Sequence, residues 1–228
     1  MAANQILESV NIGRTKELVF AGDGVRLAGQ IDYPSVPTGK QTFPLIFLLH
    51  HAGCVSRSGY EHYAQLGVEA GYAVFRWDKR GTGCSGAGGR GSTTQDAVDA
   101  YEYALEQPGV DRRKMVIIAQ GAGTGLLGSA YGLFARIQQP YGVVLVANML
   151  DETAVQAIDS RVQIVVGQND WNPWRRFGQA ACEAHLAAYR HGASFYVAPE
   201  ADRMLVDPRT ETFHAGAKRA IREWLESI

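Results

Sequence analysis

The sequence predicts an α/β protein built on a mostly parallel, doubly wound sheet with an antiparallel hairpin at its N-terminal edge. Three observations carry this. Six short apolar runs, "PLIFLLH", "YAVFRW", "MVIIAQ", "GVVLVANM", "VQIVVG" and "SFYVA", are continuous rather than alternating, as strands covered on both faces must be. Helix-length segments lie between and after them, at roughly 57–70, 93–107, 122–136, 174–190 and 212–227, and alternation of strand with helix argues parallel crossovers. Ahead of these, "ELVF" and "VRLAGQIDY" flank Ala21-Gly22-Asp23-Gly24, a stretch that tolerates the positive φ of a tight hairpin turn. Pro34 and Pro37 then end the second strand.

Composition narrows the function classes. The chain has 228 residues and no linker-like stretch, so one domain spanning 1–228 is expected. The glycine cluster "GTGCSGAGGRG" at 81–91 reads as a loop, because strong elements stand on both sides of it. A net charge of −1 with 20% charged residues gives no electrostatic footprint for nucleic acid or an anionic membrane. Cys54, Cys84 and Cys182 are odd in number and scattered, which suits free thiols, and no spacing among them fits a metal. No leader pattern and no long apolar run is present, so a cytoplasmic protein is expected.

In open α/β sheets the ligand site lies beyond the carboxyl ends of the strands. Those ends read His50-His51-Ala52-Gly53-Cys54, Asp78-Lys79-Arg80-Gly81, Gln120-Gly121-Ala122-Gly123, Asn148-Met149-Leu150-Asp151, Gly167-Gln168-Asn169-Asp170 and Pro199-Glu200-Ala201-Asp202-Arg203. Taken in order, they resemble the α/β-hydrolase superfamily from Glu17 to the C-terminal helix. "FLLHHAG" is similar to the strand and loop that supply an oxyanion-hole amide. "DKRGTGCS" matches a D-x-R-G-x-G-x-S loop at Asp78, Arg80, Gly81, Gly83 and Ser85. The resemblance places the nucleophile elbow at "AQGAG", the acid at Asp170 and the histidine at Arg203. It implies an α/β-hydrolase fold, oxyanion or ligand contacts from Ala52, Gly53, Cys54, Gln120 and Ala122, and no large cap, since only "LDETAVQAIDSR" separates two strands where capped members insert one.

The catalytic positions depart from that pattern. The elbow G-x-S-x-G reads Ala119-Gln120-Gly121-Ala122-Gly123, so Gly121 stands at the serine position, and sliding the frame onto Gly123 or Thr124 restores nothing. Arg203 stands at the histidine position, leaving only Asp170 of the triad. Losing a triad serine or histidine costs a comparable hydrolase about 2 × 10⁶ in kcat, about 8 kcal/mol of barrier. Ordinary Ser-His-Asp activity is therefore expected to be absent. Gly121 is the relaxed choice at a strained bend once no hydroxyl is needed. If Asp170 and Arg203 keep the acid and histidine places, they should form a carboxylate–guanidinium pair, which cannot act as a base.

Other readings of the same residues stay open. Gly123-Thr124-Gly125-Leu126-Leu127-Gly128 fits G-x-G-x-x-G, with Asp151 as a ribose-binding acid, which would make the turn from Gly121 to Gly128 a dinucleotide site. Against that, Gly81-Thr82-Gly83-Cys84-Ser85-Gly86 fits the same pattern without opening a helix. Cys54 is the alternative nucleophile for an ester or thioester hydrolase, with His50 or His51 nearby, and Ser85 reads as a turn residue. Asp170 also precedes Asn172 and Pro173, which are strong helix-start signals. His214 is placed in the first turns of the last helix, behind Thr212, and His62, His185 and His191 on helix surfaces. An open, shallow pocket walled by His51, Tyr60, Met149, Trp171 and Trp174 would suit a small carbonyl-bearing or anionic ligand. The motifs call for no cofactor and no metal. The expected partner is a small molecule or a protein, with a homodimer left open.

Overall fold

The computed structural model describes residues 12–35, 42–53, 55–170 and 172–228. β1 (Ile12–Gly22) and β2 (Val25–Pro34) pair antiparallel through a turn at Asp23-Gly24, where Gly24 takes φ +70°. β3 (Phe43–Leu49), β4 (Ala73–Trp77), β5 (Val110–Gln120), β6 (Gly142–Val146), β7 (Arg161–Gly167) and β8 (Ala193–Ala198) complete the sheet. Its order is β1-β2-β4-β3-β5-β6-β7-β8, antiparallel across β1, β2 and β4 and parallel from β4 to β8.

Consecutive strand residues point to opposite faces, which explains the continuous apolar runs. Leu45, Phe47, Ile117 and Leu145 go to a core shared with Tyr101 of α2 (Thr93–Leu105), Phe134 of α3 (Ala122–Ile137) and Cys182 of α5 (Asn172–Ala188). Ile46, Leu48, Ile118 and Val144 go to the other face, where α1 (Glu61–Glu69) contributes Tyr63 and Leu66, and α6 (Ala215–Glu226) contributes Ile221 and Trp224. Both cores exclude water from aliphatic and aromatic surface at about 25 cal/mol per Å², the dominant stabilising term.

One polar group crosses the hairpin boundary. Asp32 of β2, fully buried, accepts from Arg76 Nε at 3.1 Å and Nη2 at 2.7 Å, and from Thr15 Oγ1 and Gln30 Nε2 at 2.8 Å each. Paired and saturated, the carboxylate ties the hairpin to β4.

Three details differ from the sequence reading. Residues 212–213 are not helical: Thr212–Phe213 forms β10 and pairs with β9 (Val206–Asp207). His214 is the N-cap of α6, with Nδ1 accepting from Ala217 N at 3.1 Å. A short helix, α4 (Glu152–Gln156), lies inside the 147–160 connection, which has no larger insertion. Among the described residues, no helix is long and apolar enough to cross a membrane.

Candidate functional site

The chain leaves β3 toward one side of the sheet, through α1 to β4, then crosses back through α2 to β5 on the other side of β3. The carboxyl ends of β3 and β5 therefore flank the switch point where such sheets bind ligands. At the end of β5, Gly121 N donates to Val146 O at 2.9 Å, the backbone turns through φ +53°, ψ −117°, and α3 begins at Ala122. That conformation is costly for any residue with a Cβ. Thr124, fully buried, holds the bend: its N and Oγ1 donate to Gly121 O at 2.9 and 2.7 Å, and Oγ1 accepts from Met149 N at 3.0 Å. A Cβ on Gly123 would collide with Leu49 O and lie 2.8 Å from His50 O, so this glycine lets α3 lie against the end of β3.

The loop after β3 stands over the bend. A Cβ at position 121 would lie 3.1 Å from His51 Nδ1 and 3.6 Å from its Cβ. The imidazole thus crowds the room an elbow side chain would take. Its own backbone is fixed on both sides: His51 N donates to Tyr60 Oη at 3.1 Å, and Lys79 Nζ donates to His51 O at 2.8 Å and Gly53 O at 2.7 Å. Carbonyl and following N–H of a trans peptide point opposite ways, so the Ala52 amide faces away from Lys79. Burial, then the charges of Lys79 and Arg203, lower the His51 pKa, which keeps the ring neutral at neutral pH. His50 lies beneath, buried against Tyr60 and Trp77 and held neutral at about 3 by burial and then by Lys79 and Arg76.

Across the bend, Asp170 follows β7 with its side chain fully buried, and Arg203 Nη1 stands 3.5 Å from Asp170 Oδ1. The contact is an ion pair longer than a good hydrogen bond. The loop bearing Arg203 is pinned: Asn169 N donates to Ala201 O at 2.9 Å, and Asp202 Oδ1 accepts from Met204 N and Val206 N at 2.8 Å each. Gly167 permits this, because a Cβ there would strike Asp202 O.

The remaining candidates separate. Ala52 and Gly53 are exposed and Ala122 half-buried at the cleft, whereas Cys54 and Trp171 lie outside the described residues. Gln120 contributes no side chain to a cleft, being 2% exposed with Nε2 4.0 Å from Met204 Sδ. Tyr60 is 4% exposed and belongs to the core, touching the site through its hydroxyl alone. Met149 is exposed, and Trp174 is half-buried edge-on to Phe177. Ser85 is a turn residue: its Oγ donates to Asp78 O at 2.6 Å and accepts from Ala28 N at 2.9 Å. Arg80 donates from Nε and Nη2 to Asp96 at 2.6 and 2.8 Å, so the glycine loop is structural.

Of the three histidines expected on surfaces, one is buried and two are half-buried. His185 is fully buried, its Nε2 2.9 Å from Ile158 O. His62 packs on Phe213 and is lowered to about 4 by burial and then Arg76, and His191 stacks on Tyr189 half-buried. Each imidazole has an apolar ring that packs well in helix-flanking positions, which polarity scales miss. The dinucleotide residues also have other roles. Asp151 caps α4 by accepting from Ala154 N at 2.9 Å, Gly128 makes room for Leu150, and the strand order is not the 3-2-1-4-5-6 of that fold. Lys79 under the loop carried no sequence signal, and His51, expected as a pocket wall, was not expected over Gly121 itself. A histidine where the "FLLHHAG" loop leaves its strand was the available hint.

The same architecture occurs in solved structures. An esterase of the archaeon Pyrobaculum calidifontis matches 96% of this chain over 87% of its own, at 14% identity and a TM-score of 0.74. Carboxyl esterase 2 of the fungus Tuber melanosporum matches 96% over 88% of its own, at 16% identity and 0.71. A predicted CIB-like hydrolase of Thermoplasma acidophilum matches 94% over 99% of its own, at 15% identity and 0.67. Likeness at these identities establishes the fold and nothing finer. No protein-family model matches the chain, and no curated protein matches it in sequence.

Proposed function

On the premise that the chain has the α/β-hydrolase fold, we propose that it is a redirected relative of esterases: a protein that binds a small carbonyl-bearing or anionic ligand at the elbow and does not cleave it through a serine. The observation that carries this reading is Gly121, which keeps the strained elbow backbone at φ +53°, ψ −117° with no side chain on it. A second element supports it. Arg203 pairs with Asp170 where the resemblance puts a histidine, and arginine holds its proton too firmly to serve as a general base. What the site retains is recognition: main-chain amides around the bend, a neutral imidazole and a guanidinium.

The test is hydrolysis of p-nitrophenyl esters from acetate to octanoate. The parent, Gly121→Ser and Arg203→His single variants are expected to stay within about tenfold of the buffer rate, since the parent lacks two triad members, each variant still lacks one, and the loss of one costs about as much as the loss of both. Turnover by the parent of more than about 10³ over buffer would overturn the reading, and its loss on Cys54→Ala would transfer the chemistry to that thiol.

A further inference from the structure

Around the elbow two side chains hold unspent hydrogen-bonding capacity. Among the described residues, neither ring nitrogen of His51 takes part in a hydrogen bond, and no N–H of Arg203 donates one, its contact with Asp170 being the 3.5 Å ion pair. Both are half-buried, so neither capacity is fully met by bulk water. Neither is loose. The His51 main chain is clamped between Tyr60 and Lys79, its ring faces position 121, and the Arg203 loop is pinned to Asn169 and Asp202.

The charges facing this space sum simply. Lys79 after β4 and Arg203 after β8 are cations that act on the His51 ring, and Asp170 after β7 is the anion paired with Arg203. Tyr60 from the turn before α1 brings a neutral hydroxyl, and the first turn of α3, Ala122-Gly123-Thr124-Gly125, has no titratable side chain. With a neutral imidazole these three described groups, Lys79, Arg203 and Asp170, sum to one net positive charge. One ligand charge of opposite sign balances them; two would overshoot.

We propose that the site holds the carboxylate of a small organic acid as a monoanion, one oxygen on the Arg203 guanidinium and the other on a ring N–H of His51, above Gly121. This rests on the binding reading given above and names its ligand class. Gly121 has a specific role here, because a side chain at 121 would compete with the His51 ring for the same room. The neutral ring donates without taking up a proton, so binding should not depend on pH near neutrality.

The test is calorimetric titration of the full chain with acetate, propionate and benzoate, with acetamide and methylphosphonate as the neutral and dianionic comparisons. The carboxylates are expected to bind at least about tenfold more tightly than acetamide, and more tightly than methylphosphonate at pH 8. His51→Leu and Arg203→Met should each weaken acetate by at least about tenfold, while His51→Asn, which keeps an N–H donor, should stay within about threefold. Acetate affinity should be flat from about pH 6 to 8, as expected of a ring that stays neutral. Equal binding of acetate and acetamide, wild-type affinity in both His51→Leu and Arg203→Met, or affinity falling tenfold per pH unit would overturn the inference and leave the broader binding reading standing. Absence of any binding would sink both. Thermal unfolding of each variant, with His51→Asn as the conservative control, separates lost contacts from lost folding.

Discussion

Placing a methyl group on the elbow, Gly121→Ala, should destabilise the protein by an amount that divides into two parts. The backbone at φ +53°, ψ −117° costs a residue with a Cβ about 1–3 kcal/mol. The new Cβ also arrives 3.1 Å from His51 Nδ1, so the ring must yield by a few tenths of an ångström against its clamped main chain, at about 0.5–1 kcal/mol. The sum, about 2–4 kcal/mol, corresponds in a chain of this size to a Tm lowered by about 4–16 °C. Two neighbours calibrate the scale. Gly125→Ala, in the first turn of α3 with nothing within 4 Å of the new Cβ, should stabilise by about 0.5–1 kcal/mol. Gly123→Ala, aimed at the fixed carbonyls of Leu49 and His50, should cost more than Gly121→Ala. Urea unfolding of the three, repeated for Gly121→Ala in a His51→Ala background, apportions the parts, since removing the ring leaves only the backbone cost. A Gly121→Ala variant as stable as the parent would refute the argument, for the bend would then not be the strained one described.

Three further outcomes are expected. Asp32→Asn should cost about 3–5 kcal/mol in urea unfolding, because it leaves the buried Arg76 guanidinium without its counter-charge, and a loss under about 1 kcal/mol would show the pair is dispensable. His50, held at about 3, and His62, held at about 4, bind fewer protons folded than unfolded. Their stability contribution is thus complete above about pH 6.5 and lost as pH falls toward 3, at up to about 1.4 kcal/mol per pH unit for each. His50→Phe should remove one of these two slopes while changing little at pH 7, since neither ring nitrogen of His50 has a partner to lose; identical acid sensitivity would contradict this. Cys84, exposed, should react with a thiol reagent in the native state, whereas Cys182, 4% exposed with its pKa raised by burial, should react only on unfolding.

The parallel strands were legible in the sequence because residues such as Leu45 to Leu48 must satisfy two cores at once, and nothing but an unbroken apolar run does so. The hairpin was legible from Asp23-Gly24 for the opposite reason, a local conformational demand. The Asp170 and Arg203 contact was expected only through the resemblance, which puts an acid and a histidine at those two places, and the 3.5 Å ion pair fits that expectation. What sequence order did not convey was lateral placement above the carboxyl ends of the strands. His51 and Gly121 are far apart in the chain and meet only because β3 and β5 are neighbours, and which way the loop after β3 leans depends on Lys79 gripping two carbonyls. The histidines misread as surface groups show a related limit: an imbalance of polar and apolar atoms within one side chain is resolved by packing, as His185 on the Ile158 carbonyl illustrates. His214 was misplaced because β9 and β10 are two residues each, too short to leave a periodic signature.

Among the described residues, the brief connection at 147–160 puts no cap over the crevice. An occupant would arrive and leave at rates governed by diffusion and by the few groups it touches, with no closing movement to slow either event. Occupancy would then track the free concentration of the ligand from moment to moment, and an acid whose tail belongs to a larger body could seat its head while the rest stays outside.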